Sequence, residues 1–273
     1  MLDSKEIRNS RSRIARSKNI IIIPYYSNEE VTRFSRLARI VSDLGGLEGR
    51  FEFLLSARYD FSESQELHAL YSRIAPTRSF RCSREGRGIG KPDAGAKIEG
   101  PSSMFWDTMG FIEKNYPKDG GFALWMESDM VPVKKDWLKA ISAEWVPHCL
   151  MMGFFVDRSA KLLKCASHIN GGACYAKDFI SKVSPANFDL RMSWDHQILP
   201  FLLKSGMRYK FINGLIDFRR NTPVLDWKPD HRVAIMHGIK DYSAHEYTEN
   251  KYNIKQSGFK RTRTGTKEGK ASR

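Results

Sequence analysis

An acidic triplet that follows an apolar run is the feature of this sequence best suited to chemistry. The run from Phe122 to Met126 lacks helical spacing, which is typical of a strand buried on both faces of a sheet. Glu127-Ser128-Asp129 follows directly. Ligands of open α/β sheets bind beyond the carboxyl ends of the strands, where two carboxylates offer hard oxygen ligands to a divalent cation. The triplet therefore predicts a metal site, with an ordinary polar turn as the alternative.

Four further groups of polar residues stand at the ends of apolar runs and are candidates to share that site. They are Asp60, Asn170 with Gly171, Asp195, and His237 with Lys240. Taken singly, each has an ordinary structural explanation. A histidine after an apolar run usually makes a hydrogen bond in the core, and an aspartate at the start of a helix usually caps it. Taken together, they match one known arrangement of site residues.

The elements that must position these residues alternate between strands and helices. Residues 19–26 predict a strand, Ser27 or Asn28 caps a helix that ends at Gly45, and residues 51–57 predict a second strand, parallel to the first. Later patterns predict strands around 79–82, 149–156, 208–216 and 234–236, a short strand after Gly172, and helices over 61–76 and from Pro101, Asp136 and Trp194. The predicted fold class is α/β, with one central, mostly parallel or mixed sheet flanked by helices.

The formal net charge of +14 is concentrated at the two ends of the chain. Residues 1–18 carry six basic and two acidic side chains, and residues 251–273 carry eight basic side chains and one acidic. Such segments, poor in apolar residues, favour flexible, disordered arms. We therefore predict basic arms at 1–18 and 246–273 around a folded domain at 19–245. Because little net charge remains for the body, no specific nucleic acid is expected as a partner.

The distribution of apolar residues and cysteines favours a cytoplasmic protein. No stretch approaches the roughly 18 apolar residues of a membrane span, and the basic N-terminus lacks the apolar segment of a secretory signal. The four cysteines form no C-x-x-C pair, and Cys165, His168 and Cys174 do not have zinc-finger spacing, so reduced thiols are the simplest account. The basic arms are suited to peripheral contact with an anionic membrane, and the alternative is that they are solvated tails with no dedicated partner.

Two patterns bear on nucleotide binding. The turn after the first strand, Pro24-Tyr25-Tyr26-Ser27, is not G-x-G-x-x-G, which argues against a dinucleotide-binding domain. The segment G-R-G-I-G-K at 86–91 does not have P-loop spacing and is followed by proline. The glycine-rich stretch around it predicts a mobile loop. That loop lies either near a bound anion, with Arg87, Lys91 or Lys97 near its phosphates, or simply on the surface.

Five segments taken together resemble the GT-A class of nucleotide-sugar-dependent glycosyltransferases, including family 2-like members. They are N-I-I-I-I-P-Y-Y-S, W-M-E-S-D-M-V-P-V with W-L shortly after, H-I-N-G-G-A-C-Y, W-D-H-Q-I, and H-G-I-K-D, and they cover about residues 19–241. The resemblance implies one GT-A-like, Rossmann-type domain. Its expected activity is transfer of a sugar from a UDP- or GDP-sugar donor to an acceptor hydroxyl with help from Mn²⁺ or Mg²⁺. A glycan, a lipid-linked molecule or a protein would supply that hydroxyl.

The resemblance also implies roles for individual residues. Asp129, Glu127 and His237 correspond to the metal ligands, and Asp195 corresponds to the general base of inverting members. The nucleotide and its diphosphate would meet Pro24, Tyr25, Asp60, Lys97 and Lys240, and the acceptor or donor sugar would meet His168, Asn170, Gly171 and Trp194. Inversion is the expected stereochemistry. Two departures bear on it: the first acid of the D-x-D motif is a glutamate, and the usual E-D pair is Trp194-Asp195.

Two other functions fit parts of the pattern. Sugar nucleotidyltransferases share an α/β core with metal carboxylates, but they carry a G-x-G-T-R loop where this chain has Pro24-Tyr25-Tyr26-Ser27. Release of pyrophosphate from a nucleoside triphosphate would identify that activity. A non-enzymatic protein that binds nucleic acid or another anionic surface would use the basic arms, and its affinity would fall steeply as salt is raised.

Overall fold

Four consecutive isoleucines, Ile20 to Ile23, form the middle of the central strand and are fully buried. The strand spans Asn19–Tyr25 and pairs in parallel with Phe51–Ala57 on one side and Phe122–Trp125 on the other. Residues with no exposed edge and no exposed face must be apolar throughout, which explains the unbroken run. The computed structural model describes residues 18–47, 50–86, 100–146, 148–157, 167–219 and 229–254.

The described residues form an alternating series of strands and helices. The strands are β1 Asn19–Tyr25, β2 Phe51–Ala57, β3 Thr77–Arg81, β4 Phe122–Trp125, β5 Val131–Pro132, β6 Met151–Gly153, β7 Phe155–Val156, β8 His168–Ile169, β9 Cys174–Ala176, β10 Tyr209–Phe211, β11 Ile216–Phe218 and β12 Ile235–His237. The helices are α1 Asn28–Leu44, α2 Gln65–Ser72, α3 Gly100–Asn115, α4 Trp137–Glu144, α5 Phe179–Lys182, α6 Trp194–Ser205 and α7 Ser243–Tyr252, with a 3₁₀ turn at Pro185–Asn187.

Seven strands form one central sheet in the order β10-β6-β9-β4-β1-β2-β3. Strands β4, β1, β2 and β3 are parallel to one another, and β10 is parallel to β6. Strand β9 lies antiparallel between β4 and β6. The prediction of an α/β fold with a mixed sheet flanked by helices is therefore confirmed.

A second sheet of three strands, β11-β12-β5, brings the end of the chain back to the acidic triplet. Strand β12 runs antiparallel to β5, with Met236 opposite Val131 and Ile235 opposite Pro132. Because β5 directly follows the triplet, this register carries His237 alongside Asp129. Two residues that are more than 100 positions apart in sequence thus become neighbours through backbone hydrogen bonds.

Helix α1 begins beside the same edge of the sheet. Ser27 caps it, and the serine hydroxyl accepts a hydrogen bond of 3.2 Å from the backbone N–H of Glu30. Two acidic residues, Glu29 and Glu30, occupy the first turn, where the helix dipole favours negative charge. The helix ends at Gly45, whose φ of 63° favours glycine. The predicted start and end of this helix both agree with the structure.

The C-terminal boundary predicted at residue 245 is wrong, because helix α7 crosses it. The helix runs to Tyr252 and buries Ala244, His245 and Thr248, while Arg36 of α1 forms a bidentate ion pair with Glu249 at 2.7 and 2.5 Å. Its buried positions are small or polar, so no apolar stripe distinguishes it from a basic tail. Residues 1–17 and 255–273, the remainder of the predicted arms, lie outside the described residues.

Three smaller predictions also need correction. The strand predicted over 149–156 divides into β6 and β7, and the one predicted over 208–216 divides into β10 and β11. Asp136 precedes helix α4 but makes no capping hydrogen bond through its side chain, because its backbone is left-handed with a φ of 55°. Cys82, Cys149 and Cys174 are buried free thiols, and Cys165 lies outside the described residues. Among the helices described, none is long and apolar enough to cross a membrane.

His245 is a buried base, and its burial lowers the stability of the folded chain by an amount that depends on pH. Its side chain is 1% exposed, and neither ring nitrogen has a hydrogen-bond partner among the described residues. Burial, and then the charge of Arg36, lower the pKa of His245 to about 3. Between pH 6.5 and about 3 the unfolded chain binds a proton that the folded chain does not. Stability is therefore present above this window and is lost as the pH falls through it.

We predict that His245→Phe flattens the acid side of the stability profile. Each pH unit within the window costs the wild-type protein up to about 1.4 kcal/mol through this one group, and phenylalanine removes that contribution. Free energies of unfolding from urea titrations between pH 4 and 7 measure the effect. His231→Phe is the control, because the His231 side chain is 89% exposed. An unchanged pH slope in His245→Phe would contradict the assignment.

Candidate active site

The acidic triplet forms a tight turn at the carboxyl end of β4. The backbone N–H of Met126 still donates to Ile22 of β1, and the backbone N–H of Met130 donates to the carbonyl of Glu127 at 2.9 Å. The turn buries Asp129 almost completely and leaves the side chain of Glu127 34% exposed. Two carboxylates of different exposure therefore stand at the end of the central sheet, where the sequence predicts a ligand site.

His237 lies between these two carboxylates. Its Nε2 atom is 2.9 Å from Oε2 of Glu127 and 3.3 Å from Oδ1 of Asp129. One ligand atom from each of the three residues lies within 4.8 Å of the others. Two carboxylate oxygens and an imidazole nitrogen at this separation can close around one divalent cation with small side-chain adjustments. The three residues that the resemblance assigns to the metal site therefore come together.

The charges of the three residues hold one another in place. Burial alone would lower the pKa of His237, but the carboxylates of Asp129 and Glu127 outweigh it and raise the pKa to about 10. Burial would likewise raise the pKa of Asp129, but the charge of His237 holds that pKa below its usual value. A proton on His237 thus stands among the carboxylates. A metal ion must displace it, because the imidazole binds metal only when deprotonated.

Gly171 and Gly172 have no side chain, and this leaves the space that the side chains of the cluster occupy. A Cβ atom at Gly171 would lie 2.9 Å from the indole of Trp194 and 3.1 Å from Oε1 of Glu127. A Cβ atom at Gly172 would overlap Sδ of Met130 and lie 2.9 Å from Cε1 of His237. Any larger side chain at either position must displace part of the site. Gly171 was predicted to meet the bound sugar, whereas in the structure it leaves space for Glu127 and Trp194, and its carbonyl accepts a hydrogen bond of 2.9 Å from the hydroxyl of Tyr175.

A cleft of about 380 Å³ opens in front of the triplet. It is lined by Pro24, Tyr26, Glu29, Glu30, Arg33, Pro101, Met104, Trp125, Glu127, Ser128, Asp129, Ser193, Trp194, Asp195 and Lys240. These residues come from the ends of β1 and β4, the first turns of α1, α3 and α6, and the segment after β12. The cleft therefore brings Asp195 and Lys240 to the same space as the candidate metal ligands.

The residues predicted to contact the nucleotide do not all line the cleft. Pro24 lines the cleft, but Tyr25 points into the core, where its hydroxyl accepts a hydrogen bond of 2.9 Å from the backbone N–H of Ser64. The assignment of Tyr25 to the nucleotide is therefore wrong, and the next residue, Tyr26, lines the cleft instead. Lys97 lies outside the described residues.

Asp60 stands beside the cleft rather than in it. Its carboxylate accepts two hydrogen bonds from Arg58, at 2.5 and 3.0 Å. The guanidinium of Arg58 in turn lies 5.2 Å from the ring centre of Tyr26. Asp60 is therefore connected to the cleft wall through Arg58 and Tyr26.

The predicted sugar-side residues are arranged around the loop after β8. The Asn170 side chain accepts a hydrogen bond of 3.1 Å from the backbone N–H of Gly172, so it shapes the turn. The indole of Trp194 stacks on Phe105 with ring centres 4.8 Å apart and donates to the hydroxyl of Tyr175 at 3.2 Å. One edge of Trp194 faces the cleft, and the stack fixes the start of helix α6.

Asp195 does not cap α6, because Ser193 occupies the cap position. Its Oδ1 accepts a hydrogen bond of 3.0 Å from the backbone N–H of His196, and its Oδ2 lies 3.9 Å from Nε2 of His168. The side chain is 15% exposed and lines the cleft. His168 is buried behind it, so it reaches the cleft through Asp195 and is absent from the lining.

Among the cleft residues that were not predicted from the sequence, three bear directly on the site: Glu30, Arg33 and Tyr26. Burial raises the pKa of Glu30, with smaller contributions from the charges of Asp129 and Glu127, which shows how close it lies to the triplet. Arg33 bonds to Glu29 at 2.7 Å, and its buried Nε atom has no partner within the described part of the chain. Tyr26 is the third. For Glu30 and Arg33, their position on α1 next to its apolar stripe was the available signal.

Comparison with known proteins supports the fold. No family model and no curated protein matches the chain. The structure is similar to galactosyltransferase LgtC in complex with donor and acceptor sugar analogs, with a TM-score of 0.55 and 10% identity over 88% of this chain and 97% of that one. An active-site mutant of LgtC gives 0.54 at the same identity and coverage. A mannosyltransferase from Pyrobaculum calidifontis in complex with GDP-Man and Mn²⁺ has a TM-score of 0.49 and 9% identity, over 89% of this chain and 66% of that one. The chain has a GT-A-type fold.

We predict that Gly172→Ala disrupts the cluster more than the fold. The added methyl group must push Met130 or His237 aside, which costs about 1–3 kcal/mol of stability as an overpacked site. Displacement of His237 should also weaken Mn²⁺ binding, measured by isothermal titration calorimetry. Gly214→Ala is the matched control, because a Cβ there meets no atom of the described residues within 4 Å. Equal Mn²⁺ affinity in both variants would show that Gly172 does not support the site.

Proposed function

We propose that this chain is a metal-dependent glycosyltransferase that moves a sugar from a UDP- or GDP-sugar to an acceptor hydroxyl. The observation that carries the proposal is the content of one cleft: Glu127 and Asp129, bridged by His237, share it with Asp195 and Lys240. A metal-ligand set, a candidate base and a cation for phosphate are the three groups that this reaction requires.

The charge of the cleft supports a role for a metal ion. Five carboxylates line it, from Glu29, Glu30, Glu127, Asp129 and Asp195, against two permanent cations, from Arg33 and Lys240. A diphosphate entering this space alone would meet net repulsion, whereas a divalent cation among the carboxylates reverses the local sign. The donor is therefore expected to bind together with its metal ion.

The donor set fits Mn²⁺ or Mg²⁺. Glu127 and Asp129 supply hard carboxylate oxygens, and His237 supplies one nitrogen through Nε2. A bound ion would act as a Lewis acid that stabilises the negative charge developing on the leaving diphosphate. The protein's own contribution is to hold two ligands in the turn after β4 and the third on β12, and the register of β5 and β12 aligns them.

Asp195 is the proposed general base. It takes the proton of the acceptor hydroxyl while that oxygen attacks the anomeric carbon, and the bond from this carbon to the phosphate oxygen breaks. The bonding electrons leave with the nucleoside diphosphate, whose charge Lys240 and Arg33 can meet from the cleft wall. A single displacement of this kind inverts the configuration of the sugar.

The nucleotide is proposed to lie toward the ends of β1 and β2. Pro24 and Tyr26 form the cleft wall there, and the ring of Tyr26 is held by the guanidinium of Arg58. An aromatic face fixed in this way suits stacking with a nucleobase. A glycan, a lipid-linked molecule or a protein would supply the acceptor hydroxyl on the Asp195 side.

We predict that Asp129→Asn abolishes metal-dependent activity. Loss of one carboxylate should weaken Mn²⁺ binding by at least about 100-fold, since even an outer-shell partner is worth about 10–100-fold. The measurement is slow hydrolysis of a panel of UDP- and GDP-sugars with Mn²⁺ or with EDTA. Asp43→Asn, an exposed change on α1, is the control. Full activity of Asp129→Asn in EDTA would end the metal assignment.

We predict that Asp195→Asn lowers turnover far more than donor affinity. A general base contributes typically about 10²–10⁴-fold to the rate, and the amide cannot accept the proton. Turnover with an acceptor and the donor dissociation constant, measured on the same preparation, separate the two effects. Proton NMR of the wild-type product should give the inverted anomer. A variant with wild-type turnover would remove Asp195 from the reaction.

A further inference from the structure

A second cluster of metal-ligand type lies behind the proposed base. Nε2 of His168 is 3.9 Å from Oδ2 of Asp195, and Nε2 of His196 is 4.0 Å from Oδ1 of the same carboxylate. The two imidazole rings lie edge to face with centres 4.3 Å apart. One ligand atom from each residue lies within 4.8 Å of the others. These distances link all three side chains around one small volume.

The distances are close to those that one ion requires. Zinc binds histidine nitrogen at about 2.0–2.1 Å and carboxylate oxygen at about 2.0–2.2 Å, so two ligands at a tetrahedral angle lie about 3.3–3.5 Å apart. The nitrogen–oxygen separations of 3.9 and 4.0 Å, to the two oxygens of Asp195, therefore have to shorten by about half an ångström. The two imidazoles need only a small approach, and the side chain of His196, 31% exposed, has room to make it.

The backbone positions all three ligands. His168 lies on β8, which pairs with β7, and its side chain is 3% exposed. Asp195 and His196 lie in the first turn of α6, whose position is fixed by the stack of Trp194 on Phe105. A strand and a helix therefore converge here, and such a scaffold keeps ligands in place before an ion arrives.

We propose that His168, Asp195 and His196 form a second metal site that selects Zn²⁺ or a similar transition metal. Two imidazoles and one carboxylate are softer than the two carboxylates and one imidazole of the first cluster, so the two sites should favour different ions. Three protein ligands leave at least one coordination position for water or another ligand. The site shares no residue with Glu127, Asp129 and His237.

A metal ion at this second site would regulate the activity proposed above, and this consequence rests on that proposed function. Asp195 cannot both donate its oxygen electrons to Zn²⁺ and accept a proton from an acceptor hydroxyl. Zn²⁺ bound at this second site is therefore expected to inhibit the transfer that Mn²⁺ supports. The metal site itself does not depend on the enzyme's reaction and is tested by binding alone.

The test is titration of the full-length protein with ZnCl₂ by isothermal calorimetry. Excess MgCl₂ is present to occupy the first cluster, Glu127, Asp129 and His237. One Zn²⁺ per chain is expected, and His196→Ala should weaken its binding by at least about tenfold, the lower end of the effect of an outer-shell partner. His168→Gln should do the same. His231→Ala is the control, because His231 is exposed and remote in sequence from the cluster.

The outcomes are distinct. A tenfold or greater loss in His196→Ala, with wild-type affinity in His231→Ala, supports the site. Absence of Zn²⁺ binding, or affinity that is unchanged in His196→Ala, overturns it. Should His168→Gln fail to fold, His196→Ala decides alone, since its side chain is partly exposed. Because none of these readouts involves a sugar, a failure here leaves the proposed transferase function standing, and the converse also holds.

Discussion

The contact between one buried imidazole and two carboxylates is the interaction on which the rest of the structure depends. His237 is almost fully buried, and its pKa of about 10 exists only because Glu127 and Asp129 face it. Without those carboxylates, a charged imidazole would be too costly to bury, and without the imidazole, two neighbouring carboxylates would repel each other. The cluster is stable because its charges are mutually paired, and a divalent cation can take over the role of the proton.

Three features of the backbone position the side chains of Glu127, Asp129 and His237. Strand β4 ends where the turn of the triplet begins, the pairing of β12 with β5 sets the position of His237, and Gly172 leaves the space between them open. Each of these is a backbone feature rather than a choice of functional side chain. The site therefore tolerates little change in its scaffold, even at residues that never touch a ligand.

Much of the fold followed from local patterns in the sequence. The isoleucine run, the cap at Ser27 and the glycine at 45 determine β1 and α1, because burial and helix ends leave short-range signatures. Helix α7 left none, since it buries Ala244, His245 and Thr248 and is held partly by a bidentate pair between Arg36 and Glu249. Local apolarity cannot reveal a helix that is anchored by ion pairs to another part of the chain.

Site residues were predictable where their spacing along the chain identifies them. They were not predictable where the direction of the side chain decides whether it lines the cleft. Acids one residue apart at a strand end indicated the two carboxylates of the cluster, and the late H-G-I-K segment indicated His237. Two adjacent tyrosines could not be distinguished, because successive strand residues face opposite sides and only the register decides which one lines a cleft. Glu30 and Arg33 were missed for a related reason: their neighbours in space are set by the packing of α1 on the triplet.

The most direct test of the central claim is thermal unfolding of the wild-type protein with UDP or GDP and Mn²⁺, added separately and together. A ligand that binds only the native state raises the melting temperature. If the acids at 127 and 129 bind an ion that holds the diphosphate, one nucleotide with Mn²⁺ should raise the melting temperature by more than the sum of the two separate shifts. Equal stabilisation with and without Mn²⁺, or none with either nucleotide, would contradict the account.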